Sequence, residues 1–395
     1  MIRWALGGLL MGLVMTVSAQ SPQISLLTFQ PGEVYWQRYG HNALRVIDAR
    51  GERVYNYGIF DFQQKNFALN FARGRMQYRL ATEPMEYTLA VYAQEGRWVH
   101  EQVLDFTPDE ARRVAQFLTR NALPANAEYR YDYFTANCST KVRDVIDLGA
   151  GGALQTALDP VMTLASYRSE AARMMSPMPP MMWFTDLLLG PATDLPISLW
   201  QRSFLPEILM EAVREVRLAD GRPLVRSEHL LLPGRLPATP VTPPALVMGF
   251  TLAGLAWGGV LMLAGAASRS RGGALPRLII RLLLLGTALL SGVIGWILLL
   301  GWAVTDHLVM ANNLTLLAFS PLSLLALPFM IRALRGGVVT STLGLLLLIL
   351  PTVTTISALA LQLLPGAQQH LHWLLFWLPV HLASLAVIFR GSRSP

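Results

Sequence analysis

The chain has one cysteine in 395 residues, Cys138, and only 14% of its residues are charged. A lone cysteine excludes an internal disulfide framework. No His, Cys, Asp or Glu set has metal-ligand spacing and no glycine-rich nucleotide loop is present, so no metal and no other cofactor is expected. Charge is scarcest from Ala245 onward, where eight arginines stand against Asp306 alone. That imbalance accounts for the net charge of +7, and the part before it is balanced. The basic character therefore reports loops between apolar segments and not a nucleic-acid partner.

Five apolar stretches follow Ala245, at 245–267, 278–304, 308–331, 338–363 and 371–389. Each is long enough for a bilayer core, which takes about 20 helical residues. Arg269, Arg271, Arg277 and Arg281 lie between or beside the first two; Arg332 and Arg335 lie between the third and fourth; Arg390 and Arg393 follow the fifth. The other two connections have neither Lys nor Arg, so all basic loops fall on one side, which the positive-inside rule makes cytoplasmic. The expected product is an all-α bundle of five transmembrane helices with a domain outside, in a bacterial inner membrane, and a cytoplasmic tail at 390–395.

The other end agrees. Arg3, an apolar run to Val17 and then Ser18-Ala19 make a signal peptide at 1–19, with an uncleaved anchor as the alternative. No cysteine follows that run, so the chain is not itself a lipoprotein. Residues 20–232 read as one mixed α and β domain, followed by a proline-rich linker at 233–244. Strands are expected at 25–29, 40–47, 53–58, 77–80, 86–92 and 98–106, with a hairpin turn at Asp48-Ala49-Arg50-Gly51. Residues 60–73 read as helix, and Thr107-Pro108-Asp109-Glu110 opens another with a capping box. Met174, Met175, Met178, Met181, Met182, Trp183 and Phe184 crowd around three prolines, as core filling or as a surface resting on lipid.

An exported chain with an unpaired thiol puts a nucleophile on the table, because an oxidising compartment pairs structural cysteines. Asn137 is a good N-cap, and Val142, Val145 and Ile146 share one helical face, so Cys138 falls in a first helical turn. Backbone N–H groups and the positive dipole end meet there and favour a thiolate. A buried structural cysteine is the bland alternative. A nucleophilic thiol needs a base and an orienting group. His41, in Tyr39-Gly40-His41-Asn42, is the best base, with His100 and His229 as alternatives; Asn56 is the orienting group, with Asp61 next. Asn137, Ser139, Arg143 and Asp61 are candidate substrate-binding residues. So are Asp306, His307, Asn312 and Asn313, which fall at the outer ends of the spans and bind a headgroup or merely cap helices.

Residues 39–46 (Tyr-Gly-His-Asn-Ala-Leu-Arg-Val), 54–62 (Val-Tyr-Asn-Tyr-Gly-Ile-Phe-Asp-Phe) and 137–144 (Asn-Cys-Ser-Thr-Lys-Val-Arg-Asp) together resemble the Lnb-type periplasmic domain, whose family includes bacterial lipoprotein N-acyltransferases. The order of histidine strand, polar residue and cysteine helix also resembles permuted papain-like folds of the NlpC/P60 and lecithin:retinol acyltransferase kind. The resemblance implies an α+β permuted papain-like (NlpC/P60-like) domain joined to the helical bundle. It also implies acyl transfer from a phospholipid donor, through a Cys138 thioester, to a lipoprotein's N-terminal amine. Two other readings stay open: a periplasmic cysteine peptidase or amidase, and a non-enzymatic membrane scaffold.

Overall fold

The computed structural model describes residues 21–270 and 273–391. The expected signal peptide at 1–19 and the tail beyond 391 lie outside them. Seven strands, β1 (Gln23–Phe29), β2 (His41–Asp48), β3 (Gly51–Ile59), β4 (Gln77–Glu83), β5 (Val99–Leu104), β6 (Glu128–Arg130) and β7 (Val225–Leu232), make one antiparallel sheet in the order β6-β4-β3-β2-β1-β5-β7. The helices of this domain are α1 (Phe67–Ala72), α2 (Met85–Glu95), α3 (Pro108–Asn121), α4 (Cys138–Gly149), α5 (Ala153–Leu158), α6 (Tyr167–Met175), α7 (Pro179–Leu188), α8 (Leu199–Arg202) and α9 (Pro206–Glu215). After the linker come α10 (Val247–Ser270), α11 (Ala274–Val304), α12 (Ser323–Leu334), α13 (Thr342–Leu361) and α14 (Leu371–Gly391). An antiparallel sheet domain thus precedes a helical one.

Side-chain alternation puts the sheet between two layers. Ile24, Leu26, Leu44 and Val46 face a core shared with Val114 and Leu118 of α3, Val142 and Ile146 of α4, and Leu209 of α9. Leu27, Phe29, Ala43 and Val54 face the other way, onto Met85 of α2. The β2–β3 hairpin turns between Asp48 and Gly51 as expected, with Gly51 at φ +111°. Thr107 and Glu110 form the expected capping box at α3.

Two expectations change in this domain. Residues 86–92 are not a strand but most of α2: Pro84 precedes it, Gly96 ends it at φ +70°, and Met85, Thr88, Leu89 and Tyr92 repeat on the helical period that packs under the sheet. Of the helix expected at 60–73 only α1 forms, because Asn66 takes a left-handed φ of +61° and interrupts it.

In the helical part, α10, α11, α13 and α14 are long and apolar enough to cross a membrane. The span expected at 308–331 is not a single helix. Leu308–Met310 and Leu314–Leu317 are 3-10 turns, Asn312 between them has φ +56°, and α12 has only 12 residues, about 18 Å of helix. Irregular backbone survives beside lipid only where protein covers it. Here Asn313, Thr315, Phe319 and Ser320 are buried, and Gly295 of α11 admits the strand of chain so closely that a Cβ there would stand 2.2 Å from the Phe319 carbonyl oxygen.

The sheet domain docks on the arginine-free helix ends. Asp306 N–H donates to Arg73 O at 2.8 Å, Asn313 Nδ2 to Leu187 O at 2.9 Å, and Gln368 Nε2 to Leu189 O at 3.1 Å. At the opposite ends Arg281 donates to Leu334 O. A buried ion cluster locks the joint. Arg168 pairs with Asp186 at 3.0 Å and with Asp194 at 2.5 Å, while Asp186 also accepts from His372 and Trp373 of α14, each at 2.8 Å. The methionine-rich segment divides: Met174, Met175 and Met182 are core, whereas Trp183, edge-on against Phe250 of α10, and Phe184 are exposed.

Gly295→Ala is expected to lower the melting temperature of the detergent-solubilised protein, by overpacking worth about 1–3 kcal/mol. Gly286→Ala, where nothing lies within 4 Å of the added Cβ, should not. Arg168→Ala takes the guanidinium from two buried carboxylates and should cost about 3–5 kcal/mol, read in the same melting assay.

Candidate active site

Asn137 caps α4 as its sequence suggests. Its Oδ1 accepts from Thr140 N–H at 2.9 Å, Thr140 Oγ1 accepts from Asn137 N–H at 2.8 Å, and Asn137 Nδ2 donates to the carbonyls of Tyr133 and Phe204. Cys138 is therefore the first residue of the helix, half-buried, at the end of a sheet-packed helix. Gly58 of β3, at φ +88°, passes beneath it. A Cβ at Gly58 would stand 3.4 Å from Cys138 Cβ, and 3.8 Å from both the Tyr129 hydroxyl and the Tyr131 ring. The backbone N–H groups of Asn42, Ser139 and Cys138 itself favour the thiolate form of the sulfur.

Asn42 follows His41, so the chain that offers an amide to the thiol also carries the expected base. His41 Nε2 lies 3.0 Å from Asn56 Oδ1, and its ring stacks on Phe29 at 5.6 Å. An amide oxygen only accepts, so Nε2 carries the hydrogen and Nδ1 keeps a lone pair. No hydrogen bond joins His41 to the Cys138 sulfur among the described residues. Asp61 is exposed and closes a local turn by accepting from Gln63 N–H, so the orienting partner of His41 is Asn56. His100 lies on β5, and His229 on β7 meets Ser227; neither contacts Cys138 among the described residues.

The other expected site residues divide. Asn137, Ser139 and Arg143 were expected to bind substrate, but they are buried and spend their polar atoms on the protein. Ser139 Oγ bonds to Asn42 Oδ1 and Ser203 O, and Arg143 donates to Trp200 O and covers the Trp200 ring at 3.7 Å. They hold α4 against β2 and α8. Asn313 is equally occupied, with Leu187, Thr315 and Gln368, and Asn312 is exposed. Asp306 and His307 lie elsewhere: Asp306 pairs with Arg75 at 2.9 Å and Arg130 at 3.5 Å, and His307 bonds Phe71 O and stacks on Tyr133 at 6.1 Å.

Two models of known families match this chain: the Lnb N-terminal periplasmic domain over residues 14–170 and the Lnb transmembrane domain over residues 276–392. The chain belongs to the Lnb family. No curated protein and no solved structure matches it. The first Lnb match takes in His41, Asn56 and Cys138; the second takes in Asp306, His307, Asn312 and Asn313. This Lnb protein is accordingly a multi-pass membrane protein with a periplasmic domain, and α7, α8, α9 and α10 fall between the two matches.

Electrostatics of the Lnb site follow from its depth. Burial pushes the His41 imidazole down to about 4, against the Asn56 hydrogen bond that favours its charged form, with the Arg97 guanidinium lowering it further. Burial likewise pushes the Cys138 thiol up, against the three backbone N–H groups and Arg97, which favour the thiolate. At neutral pH the pair rests as thiol and neutral imidazole. The dipole argument made from sequence favours a thiolate, but at this site burial outweighs it.

Sequence reasoning passed over Arg97, Gly58 and the Tyr129 hydroxyl. The Tyr129 oxygen is buried without a hydrogen-bond partner beside Cys138. Gly58 did carry a signal, since a glycine inside a strand often marks close backbone approach; Arg97 carried none.

Because Cys138 is the sole thiol, its alkylation can be followed on the intact protein. The rate should rise with pH to a midpoint above that of an ordinary cysteine and show no plateau near neutrality. A plateau extending below about pH 6 would mean that thiolate and imidazolium are already formed at rest. His41 should remain neutral until pH falls through about 4, so Cys138 reactivity should show no step near pH 6.5. Its stabilising effect is complete above 6.5 and lost between there and 4, where only the unfolded chain binds the proton.

Proposed function

We propose that this Lnb protein is a membrane-anchored lipoprotein N-acyltransferase working through a Cys138 thioester. The observation that carries the reading is a half-buried, unpaired thiol at a capped helix start, with backbone N–H groups that favour its thiolate and a neutral, Asn56-oriented histidine on the strand it packs against. Family membership supports the coarser half, a membrane enzyme that modifies lipoproteins. The order of histidine strand before cysteine helix is the one a permuted papain-like domain requires.

In this reading His41 Nδ1 takes the Cys138 proton as sulfur bonds to the ester carbonyl of a phospholipid. The N–H groups of Cys138 and Asn42 receive the oxyanion, aided by the Tyr129 hydroxyl. The C–O bond then breaks, the imidazolium returns its proton to the leaving oxygen, and a lysophospholipid departs. The α-amine of a lipoprotein's N-terminal cysteine attacks the thioester carbonyl. His41 removes the nitrogen proton, the C–S bond breaks, and the proton returns to sulfur. The amide product carries the acyl group, and no external oxidant or reductant is needed. Two lipid substrates explain why the site is tethered to a bilayer.

Mass spectrometry of purified protein incubated with phospholipid should find one acyl group on Cys138. Cys138→Ser and His41→Ala should each remove lipoprotein N-acylation, and the double variant should be no worse than either, because the two act as a unit. Tyr129→Phe should lower kcat by about tenfold or more while leaving the melting temperature nearly unchanged. Release of free fatty acid with no amide product, even with lipoprotein present, would make the enzyme a hydrolase instead.

A further inference from the structure

The site is joined to the membrane side by aromatic residues. Tyr131, beside Cys138, stacks on Tyr78 at 4.2 Å, and Tyr78 on Phe60 at 5.0 Å. Phe60 continues to Phe67 and Phe67 to Phe71, each at 6.1 Å, and Phe71 meets His307 at 6.5 Å. His307 returns through Tyr133 to Tyr131, at 6.1 and 6.2 Å, so the rings form a closed circuit.

The outer side of this circuit is bare. Trp36, Phe62, Leu69 and Phe71 are 56%, 59%, 47% and 41% exposed, and Trp36 and Phe62 touch each other at 5.8 Å. Isolated exposed apolar residues are ordinary, but contiguous ones of this size mark a contact surface. The base of the segment is bolted to the membrane domain. Asp306 N–H bonds Arg73 O, and Gly74 lies so close that a Cβ would stand 2.7 Å from His307 N. Asp306 comes two residues after the end of α11, whose last residue, Val304, is 68% exposed, as is Leu308 at 76%. The bare aromatic surface is therefore joined to the chain immediately after the end of α11. Its exposed charges are of both signs, Lys65 and Arg73 with Asp61, so the aromatic surface and not charge sets it apart.

We propose that the segment 60–73, together with Trp36, is immersed in the headgroup and upper acyl region of the outer leaflet, and that the aromatic circuit behind it is the path by which a phospholipid ester reaches Cys138. The immersion stands on the surface itself; the path rests on the acyl-transfer reading. Trp and Phe suit this layer, where one side of the ring is wet and the other apolar. In the methionine-rich segment, the other apolar candidate, Met174, Met175 and Met182 are core, while the exposed Trp183 packs on Phe250 of α10 and takes no part in the circuit that reaches Cys138.

Cys138→Ser gives a protein without cysteine, so one label can be placed at will and the result does not depend on catalysis. In that background Phe62→Cys and Leu69→Cys are each labelled with an environment-sensitive fluorophore, with Asp109→Cys, on the far helix α3, as control. The proteins are reconstituted in vesicles of phosphatidylethanolamine and phosphatidylglycerol containing a nitroxide-labelled phospholipid. Labels at 62 and 69 should lose fluorescence to the lipid nitroxide and be protected from aqueous iodide, with the reverse at 109. Quenching by iodide at 62 and 69 as strong as at 109 overturns the proposal, and so does protection from both quenchers, which would mean that a protein surface covers the patch. In the enzyme with Cys138 intact, Phe62→Ser with Phe71→Ser should raise KM for vesicle phospholipid severalfold without changing Cys138 alkylation. Lipid contact by the labels with no such KM effect would leave the immersion standing and refute the path.

Discussion

The site depends on one close approach, that of β3 to the first turn of α4. Gly58 holds a φ of +88°, which side-chain-bearing residues rarely adopt, and this turn of the backbone lets the strand run under Cys138 with the Tyr129 hydroxyl and Tyr131 ring alongside. A Cβ there would meet Cys138 at ordinary contact distance, so what disfavours any other residue is the strain of that backbone conformation. The cap formed by Asn137 and Thr140 then sets the rotation of the helix, and Ser139 pins it to Asn42. With α4 fixed in this way, the amide of Asn42 favours the thiolate of Cys138 and the preceding residue, His41, stands within the same few residues of β2. Positioning is done by buried groups, Asn137, Ser139 and Arg143, whose side chains are hydrogen-bonded within the protein.

The second constraint is the joint between the sheet domain and the spans. Arg168, Asp186, Asp194 and His372 are all buried there, where charges cost several kcal/mol each unless paired and hydrogen-bonded. Such a cluster is poor evidence of net stability. It does define a single docking geometry, because a shifted interface would strand at least one charge. That geometry brings Asp306 and His307 under the aromatic residues around Cys138 and joins the bare edge of 60–73 to the chain immediately after the end of α11. The proline-rich linker alone could not set this orientation; the side chains of α6, α7 and α14 do.

Much was legible in the chain before folding. Separation into a balanced domain and an apolar, arginine-punctuated one follows from composition, because the bilayer tolerates few other patterns. The β2–β3 hairpin, the α3 capping box and the Asn137 cap are local, each determined within a few residues, and all three are present. Segments that depended on partners were misread. The α2 sequence is aromatic and β-branched enough to pass for a strand, but its apolar residues repeat on a period that suits packing under β1 and β2. The 308–331 run is as apolar as a span, yet Asn312 and Asn313 turn its first half aside, and the groove at Gly295 supplies the cover that makes a non-helical path tolerable.

By itself, then, the sequence determined the lone thiol at a capped helix start, the histidine and asparagine of one hairpin, and the membrane-bound character of the chain, since each is a matter of residue type and short-range spacing. Tertiary structure decided what those groups are worth. It gave burial the upper hand over the helix dipole, so that thiol and imidazole rest neutral. It committed Asn137, Ser139, Arg143 and Asn313 to holding elements together, and put Met174, Met175 and Met182 in the core. It also gathered Tyr131, Tyr78, Phe60, Phe71 and His307, far apart in sequence, into one circuit between the thiol and the membrane. Desolvation and long-range contact are properties of the packed molecule, and no local pattern of residues encodes them.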